Sequence, residues 1–307
     1  MAVEAMRAAK PSKIYIASDG PRSSAEAVLI EKVRAELRGI DWDCSIRERF
    51  SDCNLGCNLG PKTAIDWFFE NEEEGIILED DCIPNQSFFL FCGAMLKRFR
   101  YDNEVMSITG TNVTSDIAFS GDYWVSRYPL MWGWATWRRA WQHYDTSLQQ
   151  WPIMKKRQWL KSLGIGGVKF QLLWASIFDA TARLGSKASW WDYQWIFSCW
   201  KAGGKTIAPS RNLIVNIGFG DDATHTRDTH DPRISLQHQE FTFPILEPPT
   251  LEINFQADRS IAVLWFEESI KGILRWRLKN LGALGVIRSL RAWRKECIKR
   301  LSNNLFD

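Results

Sequence analysis

Several things are missing from this sequence, and each absence closes off a class of protein. There is no run of about 18 apolar residues, so no segment reads as a membrane-spanning helix. The opening stretch "MAVEAMRAAK" is too polar for a secretory leader and reads as a helix. The seven cysteines have no regular spacing, and no His or second Cys pair stands at zinc-ligand distance from the one close pair, Cys53 and Cys57. They read as reduced thiols of a cytoplasmic protein, not as a disulfide framework or a zinc site. Charge of one sign is not in excess: the net charge is +3 over 307 residues, so nothing global argues for a nucleic-acid partner. No internal repeat or low-complexity tract is visible. What remains is an ordinary globular composition, 45% hydrophobic and 24% charged, long enough for one large domain or two small ones.

One residue type is abundant. There are 17 tryptophans, gathered at 124–141, 151–200 and 265–293. A flat indole stacks on the apolar face of a pyranose, so the enrichment suits a sugar-binding surface. A core that happens to use tryptophan is the other reading, and composition alone favours it.

The first half alternates strand and helix signals. "KIYIAS" (13–18) is a strand closed by Asp19-Gly20-Pro21. Residues 23–38 form a helix with Val28, Leu29, Val33 and Leu37 on one face and Ser23 or Ser24 as N-cap. Strands are expected at 43–50, 75–79 and 104–110, and helices at 61–74, with Pro61 near the first turn, and at 87–99. The βαβα order predicts a doubly wound α/β domain with a largely parallel sheet, whose ligands bind at the carboxyl ends of the strands. The middle, 111–230, is irregular, with helices at 168–184 and 188–204 and a strand-like stretch at 205–218. Residues 236–257 read as an extended, Pro-rich linker. Between 270 and 300 there are ten Lys or Arg and one acid, Glu296, with Trp276 and Trp293 among Leu and Ile and Trp265 just upstream. Residues 258–307 therefore read either as basic amphipathic helices that dock on an anionic membrane or as a solvated basic face.

Four places could carry chemistry. "GIILEDDCIPN" (75–85) runs an apolar strand into Glu79, Asp80 and Asp81. Three adjacent carboxylates repel, so either water solvates them or a hard cation such as Mg²⁺ or Mn²⁺ sits there. In "SWWDYQW", Asp192 lies among aromatics, as a general base does if buried; an exposed acid at a helix start looks the same. "NIGFGDDATHT" (216–226) sets Gly218 and Gly220 beside His225, a pattern for a mobile loop with a candidate metal or phosphate ligand, or for a plain exposed turn. "DGPR" (19–22) places a carboxylate at a strand end, where it could accept from a base or ribose, though turn chemistry alone explains it.

"IYIASDGPR", "AIDWFF…GIILEDDCIPN", "MWGWATWRRAW", "WWDYQW" and "NLIVNIGFGDDATHT" come in an order and spacing that resembles bacterial GT-A-fold glycosyltransferases. These are similar to the N-acetylglucosaminyltransferase I family, with its Glu-Asp-Asp form of the DXD motif. The resemblance covers residues 1 to 230. It implies an α/β GT-A (nucleotide-diphospho-sugar transferase) fold with a mostly parallel central sheet flanked by helices. A catalytic domain would span 1–235, followed by the 236–257 linker and a helical extension at 258–307. It implies an inverting, metal-dependent transfer of a sugar from a UDP-linked donor to a hydroxyl of a glycan acceptor, such as a cell-surface polysaccharide or lipopolysaccharide, at the cytoplasmic face of the plasma membrane. Asp81 would bind Mn²⁺ or Mg²⁺ across the diphosphate, with His225 an extra ligand. Asp80 would approach the ribose and Glu79 the donor sugar, while Asp19 and Gly20 would hold the nucleotide. Trp132, Gly133 and Trp134 would lie by the donor sugar and acceptor, the loop with Gly218 and Gly220 would close on the diphosphate, and Asp192 would be the catalytic base. Lys62 is added on its own reading, as a cation at a helix start facing the nucleotide.

In this family a further strand normally precedes the first one seen here, so an upstream extension of the reading frame is expected to encode a short apolar strand. Two other readings stand beside the transferase: a nucleotide- or glycan-binding relative without catalysis, and a hydrolase using Glu79 and Asp192 as an acid–base pair.

Overall fold

Local signals set the early elements, and most appear where they were expected. The computed structural model describes residues 2–114, 116–219 and 232–280. In chain order these form α1 (Ala2–Ala9), β1 (Lys13–Ser18), α2 (Ser24–Glu36), β2 (Ser45–Phe50), α3 (Gly56–Asn71), β3 (Glu74–Ile77), β4 (Cys82–Pro84), α4 (Gln86–Arg98), β5 (Val105–Thr109), β6 (Tyr123–Ser126) and β7 (Trp134–Trp137). There follow α5 (Arg138–Trp141), α6 (Trp151–Lys156), α7 (Trp159–Ser162), α8 (Val168–Leu184), α9 (Asp192–Lys201), β8 (Lys205–Pro209), β9 (Ile214–Asn216), α10 (Phe255–Leu264) and α11 (Ile270–Asn280). Ser23 caps α2 by accepting from the Glu26 amide, and Asn85 caps α4 by accepting from the Phe88 amide.

The chain divides into two compact units. One comprises residues 1–147 and 185–261; the other comprises 148–184 and 262–307. These boundaries differ from those drawn at 235 and 257, because α6, α7 and α8 gather with the C-terminal segment.

In the first unit the main sheet has the order β3-β7-β5-β8-β6. It is mixed, not mostly parallel as expected: of its neighbouring pairs β5–β8 is parallel, while β3–β7, β7–β5 and β8–β6 are antiparallel. The two reversed strands, β6 and β7, come from the stretch that read as irregular. Each is four residues long and rich in Trp or Tyr, too short for a period to show. A separate parallel pair joins β1 to β2, and β4 pairs antiparallel with β9. On β7, side chains alternate between the two faces. Ala135 and Trp137 join Phe88, Phe91, Met95, Ile108 and Ile207 in a core closed by α4. Trp134 turns the other way, into a block with Trp141, Trp191 and Trp195 at centroid distances of 5.7 to 6.2 Å. In the second unit α8 supplies the core, with Trp174 against Phe178 at 5.4 Å and against Phe266 at 4.9 Å. Trp134, Trp137, Trp151, Trp174 and Trp195 are all fully buried, so these tryptophans serve the core and not a sugar-binding surface.

Two local expectations fail for tertiary reasons. The helix expected from 61 starts at Gly56, because a distant carboxylate, described below, accepts the first amides; Pro61 then falls inside the helix. Helix α2 forms where its caps demand, but its apolar stripe is not covered. Val28, Leu29 and Val33 are 59, 60 and 62% exposed, and none of its described residues is buried.

One buried acid contributes to stability in a pH-dependent way. Asp258, on α10, accepts from the Ser126 hydroxyl at 2.6 Å and from the Arg127 amide. Burial pushes its carboxyl up to about 6, against the hydrogen bonds that favour the anion. The folded pKa lies above the unfolded one, so the native state binds the proton more tightly. Its stabilising contribution is complete below pH 4 and is lost as pH rises toward 6 and beyond. Asp258→Asn keeps an acceptor for Ser126 without a charge to bury. Urea midpoints for both proteins from pH 4 to 7 should diverge as pH rises, the variant being more stable at pH 7 by about 1–2 kcal/mol. Parallel profiles would exclude Asp258 as the titrating group.

Candidate functional site

Strands β3, β5 and β8 point the same way, so the segments that leave their carboxyl ends meet the segments that enter β7 and β9. The Gly110 amide donates to the Gly133 carbonyl at 2.8 Å, the Leu213 amide to the Gly110 carbonyl at 2.9 Å, and the Thr111 hydroxyl to the Trp132 carbonyl at 2.8 Å. Gly133 has φ +59°, and a Cβ there would collide with Ile214, so the chain can pass this crossing only without a side chain. Glu79, Asp80 and Asp81 occupy the end of β3 at this rim.

The three acids stand in different surroundings. Asp80 is exposed, while Glu79 and Asp81 are half-buried. Ligand atoms of Glu79, Asp81 and Cys82 lie within 4.8 Å of one another. Glu79 accepts from the Trp191 indole N–H at 3.2 Å. Its carboxyl is pushed up to about 7, first by burial and then by the charge of Asp81; the indole hydrogen bond opposes this, and Asp192 and Asp80 add to it. Asp192 opens α9 directly after Trp191, close enough to act on Glu79 and on half-buried Tyr144. The Tyr144 hydroxyl donates to the Trp191 carbonyl at 3.0 Å, and its ring stacks on Trp141 at 4.4 Å. Trp191 is thus held from behind by Tyr144 and the tryptophan block, and holds Glu79 in front. The Cys82 thiol is pushed far up by burial and by Asp81, so it stays protonated at neutral pH.

The glycine-rich segment joins this rim. The Ile217 amide donates to the Asp81 carbonyl at 2.9 Å, and a Cβ on Gly218 would collide with the Asp81 carboxylate. The Trp132 ring meets Phe219 edge-on at 5.6 Å and lies 5.6 Å from the Arg233 guanidinium. Gly220 and His225 lie outside the described residues.

Other expected residues are engaged elsewhere. Asp19, expected at the nucleotide, has both carboxylate oxygens hydrogen-bonded within the chain. Oδ1 accepts from the Gly20 and Leu55 amides, both at 2.8 Å, and Oδ2 from the Gly56 amide at 2.9 Å and the Asn54 side chain at 3.0 Å. Three of the four donors belong to the loop that starts α3 and one to Gly20 beside it, so Asp19 caps that helix and ties the two βα loops together. Gly20 is buried in the same knot, against the Cys53 backbone. Lys62 lies in the second turn of α3 because the helix starts early, and it pairs with Asp66 four residues on. Trp134 is fully buried in the aromatic block, so only Trp132 and Gly133 of that trio stand at the rim.

Two residues of the site were not anticipated. Nothing in "SWWDYQW" tells which indole would reach a carboxylate more than a hundred positions away. Cys57, at the start of α3, has its thiol pushed up by burial and by the charges of Glu79 and Asp19, so it lies within reach of both acids. No family model matches the chain, and no curated protein matches it.

Removing the Asp19 carboxylate strips four donors of their acceptor. Asp19→Ala is expected to lower stability by about 2 kcal/mol in urea titration, as the loss of a strong helix cap does. An unchanged midpoint would show that the carboxylate is not what closes this loop.

Proposed function

We propose that the protein is a metal-dependent, inverting glycosyltransferase of GT-A type, acting on a nucleotide-diphosphate sugar and a glycan hydroxyl. One observation carries the reading. A strand-end acid cluster and a helix-start acid, remote in sequence, converge on Trp191, whose indole donates to Glu79 and which directly precedes Asp192. The donor set at the rim suits a hard divalent cation. The carboxylates of Asp81 and Asp80 are oxygen ligands beside open solvent, whereas the protonated Cys82 thiol is a poor ligand. Asp81 would hold Mn²⁺ or Mg²⁺, which when bound would neutralise the donor diphosphate.

The chain's own groups do the rest. Asp192 accepts the proton of the acceptor hydroxyl as that oxygen attacks the anomeric carbon. The bond from that carbon to the diphosphate breaks on the opposite face, which inverts the configuration. Glu79, held by the Trp191 indole and flanked by Trp132 and Gly133, faces the donor sugar. Gly218 lets the 216–219 segment lie against Asp81. The donor is expected to be UDP-linked. A hydrolytic pair of Glu79 and Asp192 fits less well, because Glu79 is bound to a cluster of acids.

Thermal unfolding with Mn²⁺ and a panel of nucleoside diphosphates tests this. Stabilisation that needs both metal and nucleotide is expected, about 2.7 kcal/mol at a hundred times Kd. Stabilisation by glycans alone would reject the transferase reading in favour of a glycan-binding protein. Asp192→Asn should lower transfer by about 10²–10⁴-fold while leaving the nucleotide-dependent shift intact; undiminished turnover would remove Asp192 from its role. Gly218→Ala pushes a methyl group into the Asp81 carboxylate, so the Mn²⁺-dependent shift should shrink or vanish.

A further inference from the structure

The charge of this chain is nearly balanced only in total. Residues 148–184 and 262–307, which form the second unit, hold 16 Lys or Arg against five Asp or Glu, a net +11. The whole chain carries +3, so the first unit is left with −8. No described helix is long and apolar enough to cross a membrane.

Within the second unit, α11 has two unlike sides. Gly272 and Ile273 are buried, and the Asn280 side chain donates to the Ser176 carbonyl of α8 at 2.8 Å, which fixes the inner side. On the outer side Ile270 and Leu274, four residues apart, form an apolar ridge that is 67 and 52% exposed. Helical geometry sets Arg277 along one flank of that ridge and Lys271 and Arg275 along the other. Arg275 also pairs with Glu267 at 2.7 Å. Single exposed apolar residues are ordinary, but a ridge flanked on both sides by cations is the pattern of a helix lying in a membrane interface.

We propose that α11 is a docking surface for an anionic lipid bilayer, with Ile270 and Leu274 entering the acyl boundary and Lys271, Arg275 and Arg277 meeting lipid phosphates. Charge complementarity selects this occupant: the surface belongs to a unit of net +11. The ridge between the cations separates a bilayer from other polyanions, because only a bilayer places apolar chains directly beneath its phosphate layer. The described residues of α11 pair an apolar ridge with cations, the pattern of a helix that lies flat in an interface. The arrangement goes beyond the transferase reading and does not rest on it.

Flotation of the full chain on vesicles is the test. Vesicles of phosphatidylcholine with about a third phosphatidylglycerol should carry the protein at low salt, and should release it near 0.5 M salt, where screening is short-ranged. Pure phosphatidylcholine vesicles should not carry it. Ile270→Gln with Leu274→Gln should weaken flotation about ten-fold or more. Lys271→Gln with Arg277→Gln should weaken it about twenty-fold, near five-fold per cation. These four side chains are exposed, and circular dichroism checks that each variant folds. The proposal is overturned by equal binding to neutral vesicles, by no binding to anionic ones, by variants that float like the wild type, or by retention on soluble heparin without flotation. None of these readouts involves sugar transfer, so the docking surface and the transferase reading stand or fall separately.

Discussion

The Glu79 carboxylate is held by one indole N–H in a setting that disfavours its charge. Burial and Asp81 push its proton affinity up, and the Trp191 hydrogen bond opposes them. Such a group holds its place only if its donor does. Trp191 is fixed from behind by the Tyr144 hydroxyl and by rings of Trp134 and Trp141, so the aromatic block forms the rigid support of an electrostatically costly site. That support also carries Asp192, one residue further on. Packing on the hidden face of β7 thereby sets the spacing of two carboxylates that the chain encodes far apart.

Asp19 shows the opposite use of an acid. Its position at a strand end matches that of a ligand-binding residue, yet its oxygens are consumed by the start of α3. The same four hydrogen bonds move the helix start back to Gly56, bury Gly20, and bring Cys57 toward Glu79. A residue that reads as a recognition element is, in the folded chain, part of the frame that shapes the rim.

The two units divide the electrostatic work. The acidic first unit holds the carboxylate rim, where excess negative charge favours a cation. The basic second unit is built around tryptophan and phenylalanine, and nearly all the cations among its described residues are exposed. A net charge near zero for the whole chain therefore hides two unlike surfaces.

Much of the fold was legible. β1 lies at 13–18 and α8 at 168–184 as expected, α2 begins at a predicted cap, and α4 begins one residue before the expected start, because period and capping are read within a few residues. The acid cluster was legible too, since an apolar strand that ends in three carboxylates is a local anomaly. Strand direction was not: β6 and β7 are too short to show a period, and their reversal makes the sheet mixed. Nor was burial, which set most tryptophans inside and left the α2 stripe bare. The sequence by itself determined the local elements and the candidate acids. Only the tertiary structure decided which acids meet, which indole holds Glu79, and that Asp19 and Lys62 are engaged elsewhere. Hydrogen bonds and desolvation act between neighbours in space, and these neighbours stand up to more than a hundred residues apart along the chain.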